Sequence, residues 1–343
     1  MNGDTMGNIK MALVGTGGIS QIYRIPAIKK VSDIDLVALC DIDESKAGFI
    51  ADKYQVPNIY YDIQTMLRKE SLDGIIICTP NSFHYPMAFT CLENKIPTLV
   101  EKPLALNESQ ARRLVEKSVE KNTPLLVGMN NRFRDDVVLI NDFLKDNEIG
   151  TPFYIKAGWL KKWNRIPQHQ WTTDPKMAGG GVIIDLGLPL IDLALWLLEH
   201  PRVKSVRTFS YNMAYQKEVE DSALVVIETQ EKVTITVEVS WCLHLEKDMH
   251  YFHIFGEKGS AFLNPLRLSK EIHDNLINVT PKPVQNKLDL FKKTYENEVK
   301  NFVKVIRGEE EAGSPGKDAV YLMHVIDAIY ESKKTGRQVD ITE

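Results

Sequence analysis

The run Ile9-Lys10-Met11-Ala12-Leu13-Val14, followed at once by Gly15-Thr16-Gly17-Gly18-Ile19-Ser20, decides the fold. The first six residues are apolar enough for a buried strand. The residues from about Ile19 to Lys30 suit a helix, with Pro26 as a point for a kink. A strand, a glycine turn and a helix in this order bring backbone N–H groups and the positive end of a helix around a pyrophosphate. The pattern predicts a dinucleotide held by Gly15, Gly17, Gly18 and Ile19. Ser20 stands where the full fingerprint has its third glycine. Serine is small enough to keep the helix close to the strand, and Gly18 adds a permissive position to the turn.

Strands and helices alternate downstream of the turn. Asp35–Cys40 is a second strand and ends at Asp41. A carboxylate there accepts hydrogen bonds from the adenosine ribose hydroxyls and repels a 2′-phosphate, so Asp41 favours NAD over NADP. The competing role for Asp41 is to cap the next helix, which Asp43 and Glu44 could do equally well. Helices are expected over Glu44–Lys53 and Tyr61–Lys69. Gly74-Ile-Ile-Ile-Cys78 is a continuous apolar run, as in a parallel strand covered on both faces. It ends in Thr79-Pro80-Asn81, where an open α/β sheet binds its ligand. His84 follows at the start of a helix. It either meets the cofactor or is solvated at the helix end.

A strand over Pro97–Val100 leads to Glu101-Lys102-Pro103. Asn107 with Gln110 forms a capping box for a helix over Glu108–Lys121, and a strand over Pro124–Gly128 follows. Lys102 at the end of a strand in this sheet can reach the nicotinamide region. There an ammonium orients a substrate hydroxyl and favours a developing alkoxide. Glu101 and Lys102 are therefore counted with Thr79, Pro80, Asn81 and His84 on the cofactor edge.

A chain of 343 residues with 43% hydrophobic content exceeds one core, so two domains are expected, residues 8–128 and 129–343. The net charge of −4 disfavours a nucleic-acid partner. The four cysteines, Cys40, Cys78, Cys91 and Cys242, show no paired spacing and fit buried thiols in a reducing cytoplasm. No signal peptide, membrane span or metal site is expected. His169, which precedes the glycine-rich segment described next, has no second ligand at metal spacing.

Beyond Gly128 the chain reads as a helix over Asp136–Lys145 and then mostly strands: Phe153–Leu160, Val203–Tyr211, Ser222–Thr229, Val233–Trp241, Met249–Phe255 and Ser260–Leu268. Val233, Ile235, Val237, Val239 and Trp241 share one face, so the sheet is antiparallel with one covered side. Gly179-Gly-Gly181 precedes Asp185, a carboxylate bracketed by Ile184 and Leu186 in an apolar helix. A carboxylate in that setting needs a partner or a task, and Lys102 is the expected partner. Asp192, two helical turns further on, is read as structural. Trp159, Trp163, Trp171 and Arg165 flank the region and suit a sugar face or ordinary packing. Two long helices, Leu290–Arg307 and Asp318–Lys333, close the chain in a packing role.

Gly15-Thr-Gly-Gly-Ile19, Thr79-Pro-Asn81, Glu101-Lys-Pro103 and Gly179-Gly-Gly through Asp185-Leu-Gly187, with Ile191-Asp192, together resemble the Gfo/Idh/MocA family of NAD(P)-dependent oxidoreductases, over nearly the whole chain. The resemblance implies an N-terminal Rossmann domain and a C-terminal α+β domain with a large, mainly antiparallel open sheet, which in that family often forms the dimer interface. A homodimer or homotetramer is accordingly expected. Lys102 matches the family's active-site lysine, with a cis bond before Pro103, and Asp185 matches the substrate-site aspartate. The implied reaction is hydride transfer at a carbinol of a sugar, an inositol or a related polyol, with NAD as cofactor.

One position departs from the family pattern. A histidine serves as base four residues after the aspartate, and here that residue is Pro189, which has no proton to exchange. Three readings follow. Lys102 is itself the acid/base; or a histidine from elsewhere acts, His169 ahead of His244; or cofactor is bound without ordinary alcohol oxidation. The last reading includes an NAD-retaining glycosidase that oxidises its sugar transiently, and a non-catalytic NAD-binding protein.

Overall fold

The computed structural model describes residues 7–163, 171–213, 218–281 and 287–341. Along the first part run β1 (Ile9–Val14), α1 (Ile25–Lys30), β2 (Ile34–Cys40), α2 (Glu44–Tyr54), β3 (Asn58–Tyr60), α3 (Ile63–Lys69), β4 (Gly74–Ile77), α4 (His84–Glu93), β5 (Thr98–Glu101), α5 (Glu108–Lys121) and β6 (Leu125–Gly128). The six strands form one sheet in the order β3-β2-β1-β4-β5-β6, and every pairing in it is parallel. The chain order reverses beside β1, so β1 and β4 diverge at the switch point where such sheets bind their ligands. Met11, Leu13, Ile76 and Leu99 are fully buried, as the continuous apolar runs require.

Helix limits follow from local chemistry. Asp43, Asp62 and Asn107 each accept a hydrogen bond from the backbone N–H three residues on and so start α2, α3 and α5. The capping box at α5 is offset by one residue: Gln110 reaches back to the N–H of Leu106. The predicted single helix after the glycine turn is instead a π-helical turn, Ser20–Arg24, that passes into α1, with Pro26 in the first turn of α1. The short strand β3 has no counterpart in the sequence reading.

The second part contains α6 (Asp135–Lys145), β7 (Pro152–Lys162), α7 (Pro175–Ala178), α8 (Leu188–Leu197), β8 (Val203–Tyr211), β9 (Ser222–Thr229), β10 (Thr234–Leu243), β11 (Met249–Gly256), β12 (Gly259–Leu263), β13 (Arg267–Ile272) and β14 (Asn275–Asn278). Then come α9 (Lys287–Ile306), α10 (Gly316–Thr335) and β15 (Val339–Asp340). β7 to β15 make a nine-stranded sheet in the order β14-β13-β12-β11-β7-β10-β9-β8-β15. It is antiparallel except where β10 runs parallel to β7. The strand expected over 260–268 is divided into β12 and β13.

One face of this sheet is covered. Ile155, Ala157, Ile235, Val237, Val239, Phe252 and Ile254 are buried, and α8 packs against β7 and β10. The stretch Pro175–Leu197 is long and apolar enough to cross a membrane by length and composition, but 89% of that window is buried inside the protein. It is a core segment.

The chain divides into two compact units, Met1–Phe133 with Asn286–Val320, and Arg134–Gln285 with Tyr321–Glu343. The sequence reading cuts the chain once, after Gly128; by contacts, the segment from Asn286 to Val320 joins the first unit. Tyr295, Val299, Phe302 and Val303 of α9 belong to the same buried cluster as Leu13, Ile25, Ile28 and Leu126. Beyond α9, Ser314 exchanges hydrogen bonds with Val127, so the late segment also covers the open edge at β6.

Candidate active site

The glycine turn is built by close approach. Gly15 has φ +88°, and a Cβ there would lie 2.6 Å from the Cys78 carbonyl oxygen. Only glycine fits between β1 and the end of β4. Added Cβ atoms at Gly17 and Gly18 meet nothing within 4 Å, so this part of the turn faces open space. Ser20 compensates for the missing third glycine. Its hydroxyl donates to the Gly15 carbonyl at 2.5 Å and closes the turn from within. Ile19 is exposed beside it.

Asp41 stands at the tip of β2 and faces this turn. Its Oδ2 accepts from the Thr16 N–H at 2.7 Å and from the Thr16 hydroxyl at 2.8 Å, and its Oδ1 accepts from the Asp43 N–H at 3.0 Å. The Lys46 ammonium is 3.5 Å away. Burial opposes the ionised form, but the Asp43 and Thr16 donors and the Lys46 charge outweigh it and hold the carboxyl below its ordinary range. Asp41 is thus an oriented anion at neutral pH. Asp43 caps α2, so capping does not require Asp41.

Replacing Asp41 with alanine is expected to narrow the preference for NADH over NADPH by about tenfold, one good charge-assisted contact. Fluorescence titration with both nucleotides measures it. Equal affinities for the two in the unmodified protein would remove Asp41 from this role.

At the carboxyl ends of β4 and β5 the structure collects Thr79, Pro80, Asn81, Glu101 and Lys102 in the same unit as the glycine turn. The Thr79 hydroxyl oxygen is buried and has no hydrogen-bond partner among the described residues. An orphaned hydroxyl at this edge of the sheet fits a bound dinucleotide that supplies the missing bond. Lys102 follows β5 directly and is partly buried, and the Lys102–Pro103 peptide is cis.

Two residues assigned to the cofactor have other partners. Glu101 accepts from Nε of the fully buried Arg24 at 2.5 Å. His84 is not solvated. It is 1% exposed, and its Nδ1 and Nε2 lie 2.7 Å from the Pro103 carbonyl and 2.8 Å from the Thr79 carbonyl. The physical reason is shared: each of these polar groups is enclosed and must be satisfied from within the protein.

In the second unit, Asp185 lies in a π-helical turn, Ile183–Gly187, ahead of α8. Its Oδ2 accepts from the Trp241 indole N–H at 2.9 Å. Lys102, the partner expected from the sequence, belongs to the other compact unit. Asp192 is buried in α8, and Pro189 occupies its first turn. His169 and Arg165 lie outside the described residues. Trp159 stacks on His250 with ring centroids 4.5 Å apart, and Trp163 meets His244 at 5.5 Å. Burial and the Arg134 charge push His250 down to about 4, so the ring is neutral at pH 7.

Glu220 escaped the sequence reading. It is 2% exposed and accepts from the N–H groups of Gly181 and Ile183 and from Tyr330, with Lys333 at 2.6 Å. It fixes the start of the Asp185 segment. Its only trace in the sequence is a Glu-Asp pair ahead of a strand.

This combination defines a class, the oxidoreductases that hold NAD on a Rossmann sheet and carry a second α/β domain. Residues 9–129 match the oxidoreductase family with NAD-binding Rossmann fold, and residues 142–341 match that family's C-terminal alpha/beta domain. The chain belongs to the Gfo/Idh/MocA oxidoreductase family. It is 24% identical over 352 residues to a D-glucoside 3-dehydrogenase of Escherichia coli K12, covering 98% of this chain and 99% of the relative. It is 26% identical over 340 residues to an inositol 2-dehydrogenase of Rubrobacter xylanophilus, covering 98% and 94%. Its fold superposes on an oxidoreductase from Agrobacterium radiobacter crystallised with NAD+, L-tartaric acid and magnesium, with a TM-score of 0.84 at 21% identity, covering 97% and 98%.

Proposed function

We propose that this protein transfers a hydride between NAD(H) and a carbinol of a sugar, an inositol or a related polyol. The observation that carries the reading is the placement of Lys102 directly after β5, on the sheet edge that also holds the glycine turn and the orphaned Thr79 hydroxyl. The glucoside and inositol dehydrogenases among the relatives support the substrate class. When bound, NAD supplies the ring that takes or gives the hydride.

Each side chain then has a task. The Thr16–Asp41 pair receives the adenosine ribose, and the turn at Gly15–Gly18 receives the pyrophosphate. Lys102 as the neutral amine takes the hydroxyl proton as the carbinol becomes a carbonyl, and as the ammonium returns it in reduction. Asp185, oriented by Trp241, is the carboxylate of the second unit that the family resemblance assigns to substrate. Pro189 supplies no proton, which is why the proton step is assigned to Lys102.

A screen of sugars, sugar acids and inositols, read by NADH absorbance in both directions, tests the reading. Stoichiometric NADH formation with a polyol is the expected result. Cleavage of a glycoside with no net NADH would replace it with the glycosidase reading. Bound NAD without turnover of any of these compounds would end it.

The nine-stranded sheet also points to self-association. On its uncovered face Phe209 and Tyr211 of β8 and Leu224 of β9 are exposed on one side, and Tyr251, His253 and Phe255 of β11 lie beside Phe262 of β12 on the other, with Glu238 and Thr236 of β10 and Lys156 and Tyr154 of β7 between them. Exposed apolar side chains on one sheet face suit a second copy that covers them symmetrically. Leu224→Arg is expected to turn a dimer or tetramer into a monomer by analytical ultracentrifugation. An unmodified protein that sediments as a monomer at micromolar concentration would exclude this assembly.

A further inference from the structure

His84 is the buried imidazole beside the edge just described, and the proton step does not use it. It opens α4, one 3₁₀ turn after Thr79-Pro80-Asn81. Its two ring nitrogens face two different loops. Nε2 is 2.8 Å from the Thr79 carbonyl, after β4, and Nδ1 is 2.7 Å from the Pro103 carbonyl, after β5.

The backbone explains why a side chain is needed there. β4 and β5 are neighbours whose ladder runs Ile75↔Thr98, Ile76↔Leu99, Ile77↔Val100 and then stops. Past that point the His84 ring lies between the Thr79 and Pro103 carbonyls at 1% exposure, where water cannot compete for either.

We propose that His84 is a positioning residue for Lys102: the single N–H of its ring donates to the Pro103 carbonyl, holds the Lys102–Pro103 turn against the start of α4, and so sets where the Lys102 side chain stands. The importance of that position for catalysis rests on the hydride-transfer reading. The positioning itself does not. Burial, the largest influence on the ring, favours its neutral form, and the Lys102 charge acts in the same direction, against the two carbonyls and Glu101. One N–H is therefore the tie, and a residue with one suitably placed donor can replace it.

Lysine labelled with ¹³C at Cε, in the protein saturated with NADH, gives a Lys102 resonance that is assigned by its loss in Lys102→Ala. In His84→Phe, which keeps a ring but has no donor, this resonance is expected to move or broaden. Turnover is expected to fall about 100-fold, the size of effect that a misplacement of about 1 Å produces, while the Kd for NADH changes by less than about threefold. His84→Gln, whose amide can donate to either carbonyl, is expected to return the resonance towards its original position and recover most of the turnover. His84→Met carries the same expectation as His84→Phe and replaces it if the phenylalanine does not fold.

A Lys102 resonance at its original position in the donor-less variant overturns the proposal, whatever turnover does. So does a glutamine variant that behaves like the phenylalanine one, or a loss of NADH affinity as large as the loss of turnover. If the unmodified protein oxidises no polyol, the hydride-transfer reading fails, and the resonance still decides the role of His84.

Discussion

Lys102→Ala is expected to lower turnover by about 10³-fold, within the range set by loss of a positioned acid/base, while NADH binds with little change. The split between the two readouts follows from the construction of the site. In the proposed reading the nucleotide is gripped at the glycine turn and at Asp41, and neither involves Lys102. The Lys102 amine instead follows the end of β5, where the proposal sends the proton of the carbinol. The family resemblance leads one to expect a base at the position of Pro189, which is buried in the first turn of α8 and has no proton to exchange. Initial rates on the substrate found in the screen, with parallel NADH fluorescence titrations, provide the measurement. Turnover within tenfold of the unmodified enzyme would assign the proton to another group and reopen His169 and His244.

Arg24→Leu is expected to cost about 3–5 kcal/mol of stability, the range for breaking a buried ion pair from one side. Arg24 is fully enclosed. Its Nε donates to Glu101 and its Nη1 to Glu298 of α9, and its guanidinium lies 4.7 Å from the centre of the Tyr295 ring. One cation thus joins the turn after the glycine loop, the end of β5 and α9. Without it, two carboxylates stay behind in a place with no water. Urea unfolding gives the loss directly, and a change below about 1 kcal/mol would show that the pair is not a keystone of this unit.

Glu298→Gln should be far milder and should show the sign of the linkage. Burial pushes the Glu298 carboxyl from 4.5 up to about 7, against the Arg24 charge. A carboxyl raised on folding adds stability that is fully present below its unfolded value and lost as pH rises through the folded one. The glutamine variant carries no such loss. It should therefore gain on the unmodified protein between pH 5 and pH 8. A constant difference across that range would show that Glu298 does not titrate there.

The local chemistry of the chain foretells much of this molecule. Apolar runs fall where β1, β2 and β4 lie, Asn107 starts α5, and the limits of β8 and β9 agree with the alternation of their side chains. These features are local, because a strand's faces and a helix's cap are settled within a few residues. The apolar stripe of α9 was equally visible, but its partner was not. Periodicity tells which side is buried and is silent on what buries it, and Tyr295, Val299 and Phe302 turned out to complete the core of the first unit.

The site shows the same division. Gly15, Asp41 and Lys102 could be placed from sequence because each stands at a strand end, and strand ends in a parallel sheet converge by construction. Partners distant in the chain could not. Arg24 with Glu101 and Glu298, Asp185 with Trp241, and Glu220 with Gly181 and Tyr330 are separated by 39 to 274 residues. So the sequence alone determined the glycine turn and the strand that leads into Lys102, both properties of contiguous residues. Only the tertiary structure decided that Glu101 answers Arg24 and that the His84 ring lies between the Thr79 and Pro103 carbonyls, because a buried polar group takes its partner from whatever folding brings within 3 Å.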